Sequence, residues 1–186
     1  MWKTLSERFG FSRQPYAGSY AVIEAVATSV RKLKPKSGSE GTEVWLRNLV
    51  ETLGGTISVS PTLEWENPAS GSLTIRRDDA FEITLSPLTP PLRDNFTIAH
   101  ELGHFVLHYL LSEGTKEPIQ FNRYGTDKLE IQANRFAAAL LMPCDEFLGQ
   151  ATTLDDDTFR LAAHFGVSEP AAKVRLECLK REQSAK

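Results

Sequence analysis

Thiols are scarce in this sequence. Of its 186 residues only Cys144 and Cys178 are cysteine. That excludes a four-cysteine zinc ribbon, an iron–sulfur cluster on four thiolates and a disulfide framework. Long apolar runs are also lacking. Phe136–Met142 and the residues around Leu110 are the richest stretches, and both fall far short of the ~20 residues a membrane-spanning helix needs. The opening MWKTLSERFG has no apolar stretch and no small-residue cleavage site, so it does not read as a secretory signal. Positive charge is not in excess. Lys and Arg number 21 against 24 Asp and Glu, a net charge of -3, which gives no electrostatic reason for the whole chain to bind nucleic acid. There is no internal repeat, heptad run or low-complexity tract. These absences predict a soluble cytoplasmic protein with both cysteines reduced.

What is present is an ordinary globular composition, 41% hydrophobic and 24% charged. The length predicts one domain that buries roughly 70% of its unfolded surface and needs no cross-link merely to fold. Residues 1–18 mix Gly, Ser, Pro and aromatics without a period and read as an irregular arm. A single domain is expected over 19–186. It begins with apolar periodicity at 19–33, a Lys/Gly/Ser-rich loop, and a helix over 42–53 that stops at Gly54-Gly55. Three alternating runs follow at 56–60, 73–76 and 81–85, and their close spacing predicts a small antiparallel three-stranded meander. The run 81–85 reads first as a simple core strand and second as a strand edge open to an extended peptide. Long helices are expected over 92–111 and 127–141, then a helical tail over 144–186 with turn signals at Gly166 and Ser168. The predicted class is α+β, with the sheet packed on the helix over 92–111.

Histidine is scarce but crowded. Three of the four, His100, His104 and His108, lie within nine residues, and His164 stands apart. His100-Glu101-Leu102-Gly103-His104 is an H-E-x-x-H pattern. On a helix its two histidines lie about 40° apart and one turn up, so both imidazoles reach one metal, and Glu101 projects beside them as a general base. Thr97, His100, Glu101, His104 and His108 form one polar stripe. Such a site needs a third ligand and an open position. His108 lies about 12 Å along a regular helix from His100, too far to share a metal, which leaves it support of a ligand or plain packing. His164 reads as a surface histidine. Glu130, on the following helix, is the best carboxylate, with Asn134 four residues on and able to hydrogen-bond a ligand's outer atom. The competing reading makes Glu130 the capping-box partner of Asp127, and Asp127 and Glu146 are weaker rivals as ligands. Tyr124, Arg123 and His108 are candidates for stabilising an oxyanion.

The runs FTIAHELGHFVLH and LEIQANRFAAALLMP together resemble the ImmA/IrrE-type zinc metallopeptidases, closely from Phe96 to Pro143 and more loosely on either side. The resemblance implies a zincin-like fold, one zinc held by His100, His104 and Glu130, and Glu101 as the base. Relatives often carry a second acid where this chain has Gln132, which favours Glu130. The implied activity is endopeptidase cleavage of a specific intracellular protein, typically a helix-turn-helix repressor of a stress or mobile-element operon. The other reading is a regulator that keeps the zinc fold and acts by holding a partner. The tail around LAAHFGVSEPAAKVRLECL resembles a helix-turn-helix with Lys173, Arg175, Lys180 and Arg181 as its basic residues. The acids Asp155–Asp157, Glu169, Glu177 and Glu182 oppose phosphate binding there, so nucleic acid is not the expected partner. Cys144 and Cys178 read as packed structural residues.

Overall fold

A computed structural model describes residues 19–38, 40–61, 71–76, 80–111, 119–122 and 128–184, the last strand (119–122) by its backbone only. The arm over 1–18, Arg123, Tyr124 and Asp127 lie outside the described residues.

The apolar periodicity forms α1 (Tyr20–Arg31), which buries Ile23, Val26, Ala27 and Val30, and α2 (Thr42–Thr52), which buries Trp45, Leu46, Leu49 and Val50. The strands β1 (Gly55–Val59), β2 (Ser72–Ile75) and β3 (Phe81–Leu85) follow. Alternation in β2 and β3 turns Leu73, Ile75, Phe81, Ile83 and Leu85 into the core. Helix α3 (Pro91–Gly103) starts with proline in its first turn, where no intrahelical N–H bond is lost, and runs directly into a π-helical segment, His104–Leu110. β4 (Ile119–Asn122) returns to the sheet, and α4 (Lys128–Leu141), α5 (Cys144–Thr153), α6 (Thr158–Phe165) and α7 (Glu169–Ser184) complete the chain. The class is α+β, with the sheet against the α3–π helix on one side and α4 against that helix on the other.

The sheet itself differs from the expected antiparallel meander. Among the described residues it has four strands in the order β1-β3-β2-β4. β1 pairs parallel with β3, Gly55 opposite Phe81 and Val59 opposite Leu85, while β2 is antiparallel to both β3 and β4. Alternation reports which face of a strand is buried but says nothing about its neighbour's direction. The 59–72 connection is long enough to carry β2 past β3's place, so the short-hairpin assumption fails for β1. β3 is therefore interior, and its expected role as an open edge passes to β1 and β4, the edge strands of the described sheet.

The C-terminal helices are tied to the site helix. Asp157 caps α6 by accepting from the Phe159 and Arg160 amides. Gly166 closes α6 at φ 68°, a left-handed position that suits glycine. Its carbonyl accepts from Asn95 Nδ2 of α3 at 2.9 Å, and the Phe165 carbonyl accepts from Thr42 Oγ1 at 3.0 Å. Arg175 of α7 is buried and donates to the Met142 carbonyl and to both carboxylate oxygens of Glu24 on α1. Lys180 pairs with Asp156. Of the four basic residues of the helix-turn-helix-like tail, Arg175 is thus engaged inside the fold and Lys180 in a surface ion pair.

Candidate metal centre

The polar stripe of α3 faces inward. Thr97, His100, Glu101, His104 and His108 are all buried, and the apolar residues between them, Ala99, Leu102, Phe105 and Val106, are buried as well. A helix enclosed on all sides sits in the middle of a domain, so its polar residues must find partners.

Those partners come from α4. Gly103 permits the approach. A Cβ built there would lie 3.1 Å from both the Cα and the carbonyl oxygen of Ala133, so the two helices meet at a glycine–alanine contact. At that separation Glu130, in the first turn of α4, reaches across. Its Oε1 lies 3.0 Å from His104 Nε2 and its Oε2 lies 3.3 Å from His100 Nε2. The two Nε2 atoms are 3.0 Å apart. A tetrahedral zinc with ligands ~2.0–2.1 Å away holds its donors about 3.3 Å from one another. The donor set thus converges at nearly the spacing such an ion imposes. His100, His104 and Glu130 are the metal-capable group found among the described residues. Placement at an α4 helix N-terminus also favours Glu130 as an anion.

Glu101 projects from the same helix and is 1% exposed. Its Oε1 lies against Gly71, where the chain enters β2, and a Cβ on Gly71 would stand 3.6 Å from it. The same Cβ would collide with Thr97 Cγ2, so the absence of a side chain at 71 lets the chain approach the helix next to the carboxylate.

Outer contacts fix the imidazoles. Asn134 Oδ1 is 2.9 Å from His100 Nδ1. His108 lies in the π segment, whose wide register shows in the Leu111 amide bonding the Val106 carbonyl. His108 Nδ1 is 3.0 Å from His104 Nδ1, and its Nε2 is 3.1 Å from Gln132 Oε1. Gln132 was legible in the sequence only as a departure from an acid. Its amide contact to His108 depends on how α4 crosses the π segment, which spacing does not encode. Glu146 is not part of that group and pairs with Arg31 at 3.1 Å. His164 is exposed. Cys144 and Cys178 are free and half-buried, and burial pushes the Cys144 thiol up.

An H-E-x-x-H helix between a small mixed sheet and a glutamate-bearing helix defines the zincin-like class of metallopeptidase folds. Residues 67–177 match the model of a peptidase family described as the IrrE N-terminal-like domain. That match covers more than half of the chain, which belongs to this family. Among solved structures, a chain described as a Mycobacterium tuberculosis transcriptional regulator is similar at a TM-score of 0.58 and 17% identity, over 92% of this chain and 48% of that one. This chain thus spans about half the length of that structure, and the likeness is one of fold. No curated protein matches significantly. No helix among the described residues is long and apolar enough to cross a membrane.

Proposed function

We propose that the chain is a zinc-dependent endopeptidase acting on a specific intracellular protein, a helix-turn-helix repressor of a stress or mobile-element operon. The observation that carries the catalytic part is the convergence of His100 Nε2, His104 Nε2 and the Glu130 carboxylate within 3.0–3.3 Å of one another. Membership of a peptidase family supports it, as does the chemistry of the donors. Two imidazoles and one carboxylate suit zinc and leave a position open, the pattern of hydrolytic rather than closed structural sites. The repressor as substrate rests on the ImmA/IrrE resemblance, and the fold shared with a transcriptional regulator is in keeping with it.

In this reading His100, His104 and Glu130 hold the ion. Bound zinc supplies Lewis acidity toward a peptide carbonyl and toward water. Glu101 is the proton carrier. It takes a proton from the attacking water and returns it to the leaving nitrogen. Its burial beside Gly71 and Thr97 keeps bulk water from competing for its carboxylate. Asn134 orients His100 through its Oδ1.

Purified protein is expected to hold about one zinc per chain by elemental analysis. Glu101→Gln keeps that zinc and abolishes cleavage of the co-expressed repressor encoded beside it. A chain that binds no zinc would remove the site. Zinc with no Glu101-dependent loss of the repressor would instead support a non-proteolytic regulator that holds its partner.

A further inference from the structure

The histidines of the centre are held by two amides, the buried Gln132 and the exposed Asn134, and the orientation of those amides has a chemical consequence. His108 Nε2 faces Gln132 Oε1 at 3.1 Å. An amide oxygen only accepts, so His108 carries its proton on Nε2 and presents Nδ1 as a lone pair. His108 Nδ1 faces His104 Nδ1 at 3.0 Å. Only one proton fits between two ring nitrogens, so His104 donates it, and in its neutral form is left with a lone pair on Nε2. On the other histidine, Asn134 Oδ1 accepts from His100 Nδ1 at 2.9 Å, which leaves the same lone pair on His100 Nε2. The two freed atoms are the pair that faces Glu130.

We infer that Gln132 and His108 act as positioning residues, a hydrogen-bonded relay that sets the tautomer and ring plane of His104 so that its Nε2 is ready to coordinate. This deepens the metal-centre reading and rests on it. The Gln132 amide is the selector. Turned over, its NH2 would donate to His108 Nε2. His108 would then carry its proton on Nδ1 and donate to His104, and the neutral His104 would hold its own proton on Nε2, where it blocks coordination. The three side chains are largely buried, His104, His108 and Gln132 being 3%, 8% and 3% exposed. In that low-dielectric setting each hydrogen bond polarises the next. One short helix thus supplies a ligand in Glu130, the relay's origin in Gln132 and the His100 acceptor in Asn134. A carboxylate at 132 would accept from His108 equally well, so the relay needs an acceptor there and not glutamine as such.

The experiment uses the full chain and two readouts other than activity. Long-range nitrogen–proton NMR at pH 8, above the ordinary imidazole pKa of about 6.5, reports the His108 tautomer with and without zinc. The expected result is a proton on Nε2 in both forms. Zinc affinity is read by chelator competition. Gln132→Leu, which removes the acceptor, is expected to weaken zinc binding about 10- to 100-fold, while Gln132→Glu stays within a few-fold of the native chain. His108 protonated on Nδ1, unchanged affinity in Gln132→Leu, or no recovery in Gln132→Glu would each overturn the relay. Should Gln132→Leu fail to fold, the native tautomer and Gln132→Glu still decide. If the native chain takes up no zinc, the metal reading fails, while the His108 tautomer in the metal-free protein tests the relay separately.

Discussion

The Glu130 carboxylate faces two imidazoles at once from the first turn of its helix, and no neighbouring side chain on α4 duplicates that reach. Glu130→Ala is therefore expected to lose zinc on dialysis, whereas His108→Ala, which removes only a support of His104, keeps it at reduced affinity. Elemental analysis of the two dialysed variants separates these outcomes, and the reverse pattern would mean that the third ligand is misassigned. Gly103 matters for a different reason. It has no catalytic atom, yet its missing Cβ sets the helix separation at Ala133. Gly103→Val forces side-chain carbons against backbone that cannot turn aside. A destabilisation of about 1–3 kcal/mol is expected by urea denaturation, with a parallel loss of zinc affinity as Glu130 is pushed away. A stable Gly103→Val with native affinity would show that the two helices adjust freely.

Elements, not single side chains, decide how the C-terminal third is held. Helices α6 and α7 look separable in sequence as a helix-turn-helix. In the fold they are bound to α1, α2 and α3 through Arg175–Glu24, Thr42–Phe165 and Asn95–Gly166. Arg175 is buried, so removing its charge leaves the partly covered Glu24 carboxylate and the Met142 carbonyl with fewer donors. Arg175→Met is expected to destabilise by about 3 kcal/mol, the lower end for a broken buried pair, because Glu24 also has Arg135 at 3.3 Å. A shift of the urea midpoint worth under about 1 kcal/mol, within the range of exposed ion pairs, would show that the pair adds little. At the other end of α6, Asp157→Ala removes the N-cap and is expected to take away about 1 kcal/mol.

At the scale of the molecule, the proposed zinc site couples metal binding to folding, because its donors come from α3, the π segment and α4 and converge in the native state. Zinc at a thousandfold its Kd is expected to add about 4 kcal/mol to the unfolding free energy, and EDTA to remove it. Calorimetry with and without chelator reads this directly, and an unmoved melting temperature would mean that the donors bind no zinc. The H-E-x-x-H stripe was legible because helical periodicity alone places His100, Glu101 and His104 together. The helices and the strand faces were legible because burial imposes periods of 3.6 and 2 on apolar residues. Strand direction was not, since β1 and β3 read alike whether parallel or antiparallel. The backbone of β4 pairs with β2 in the stretch between the two long expected helices, where no strand was expected. The partner of His108 was not legible either, because it depends on where α4 crosses the π segment. The sequence by itself determined the local chemistry, meaning which residue types stand on which face of which element. Only the tertiary structure decided which faces meet, because the Gly103–Ala133 approach and the crossing of β1 to the far side of β3 are set by packing between residues distant along the chain.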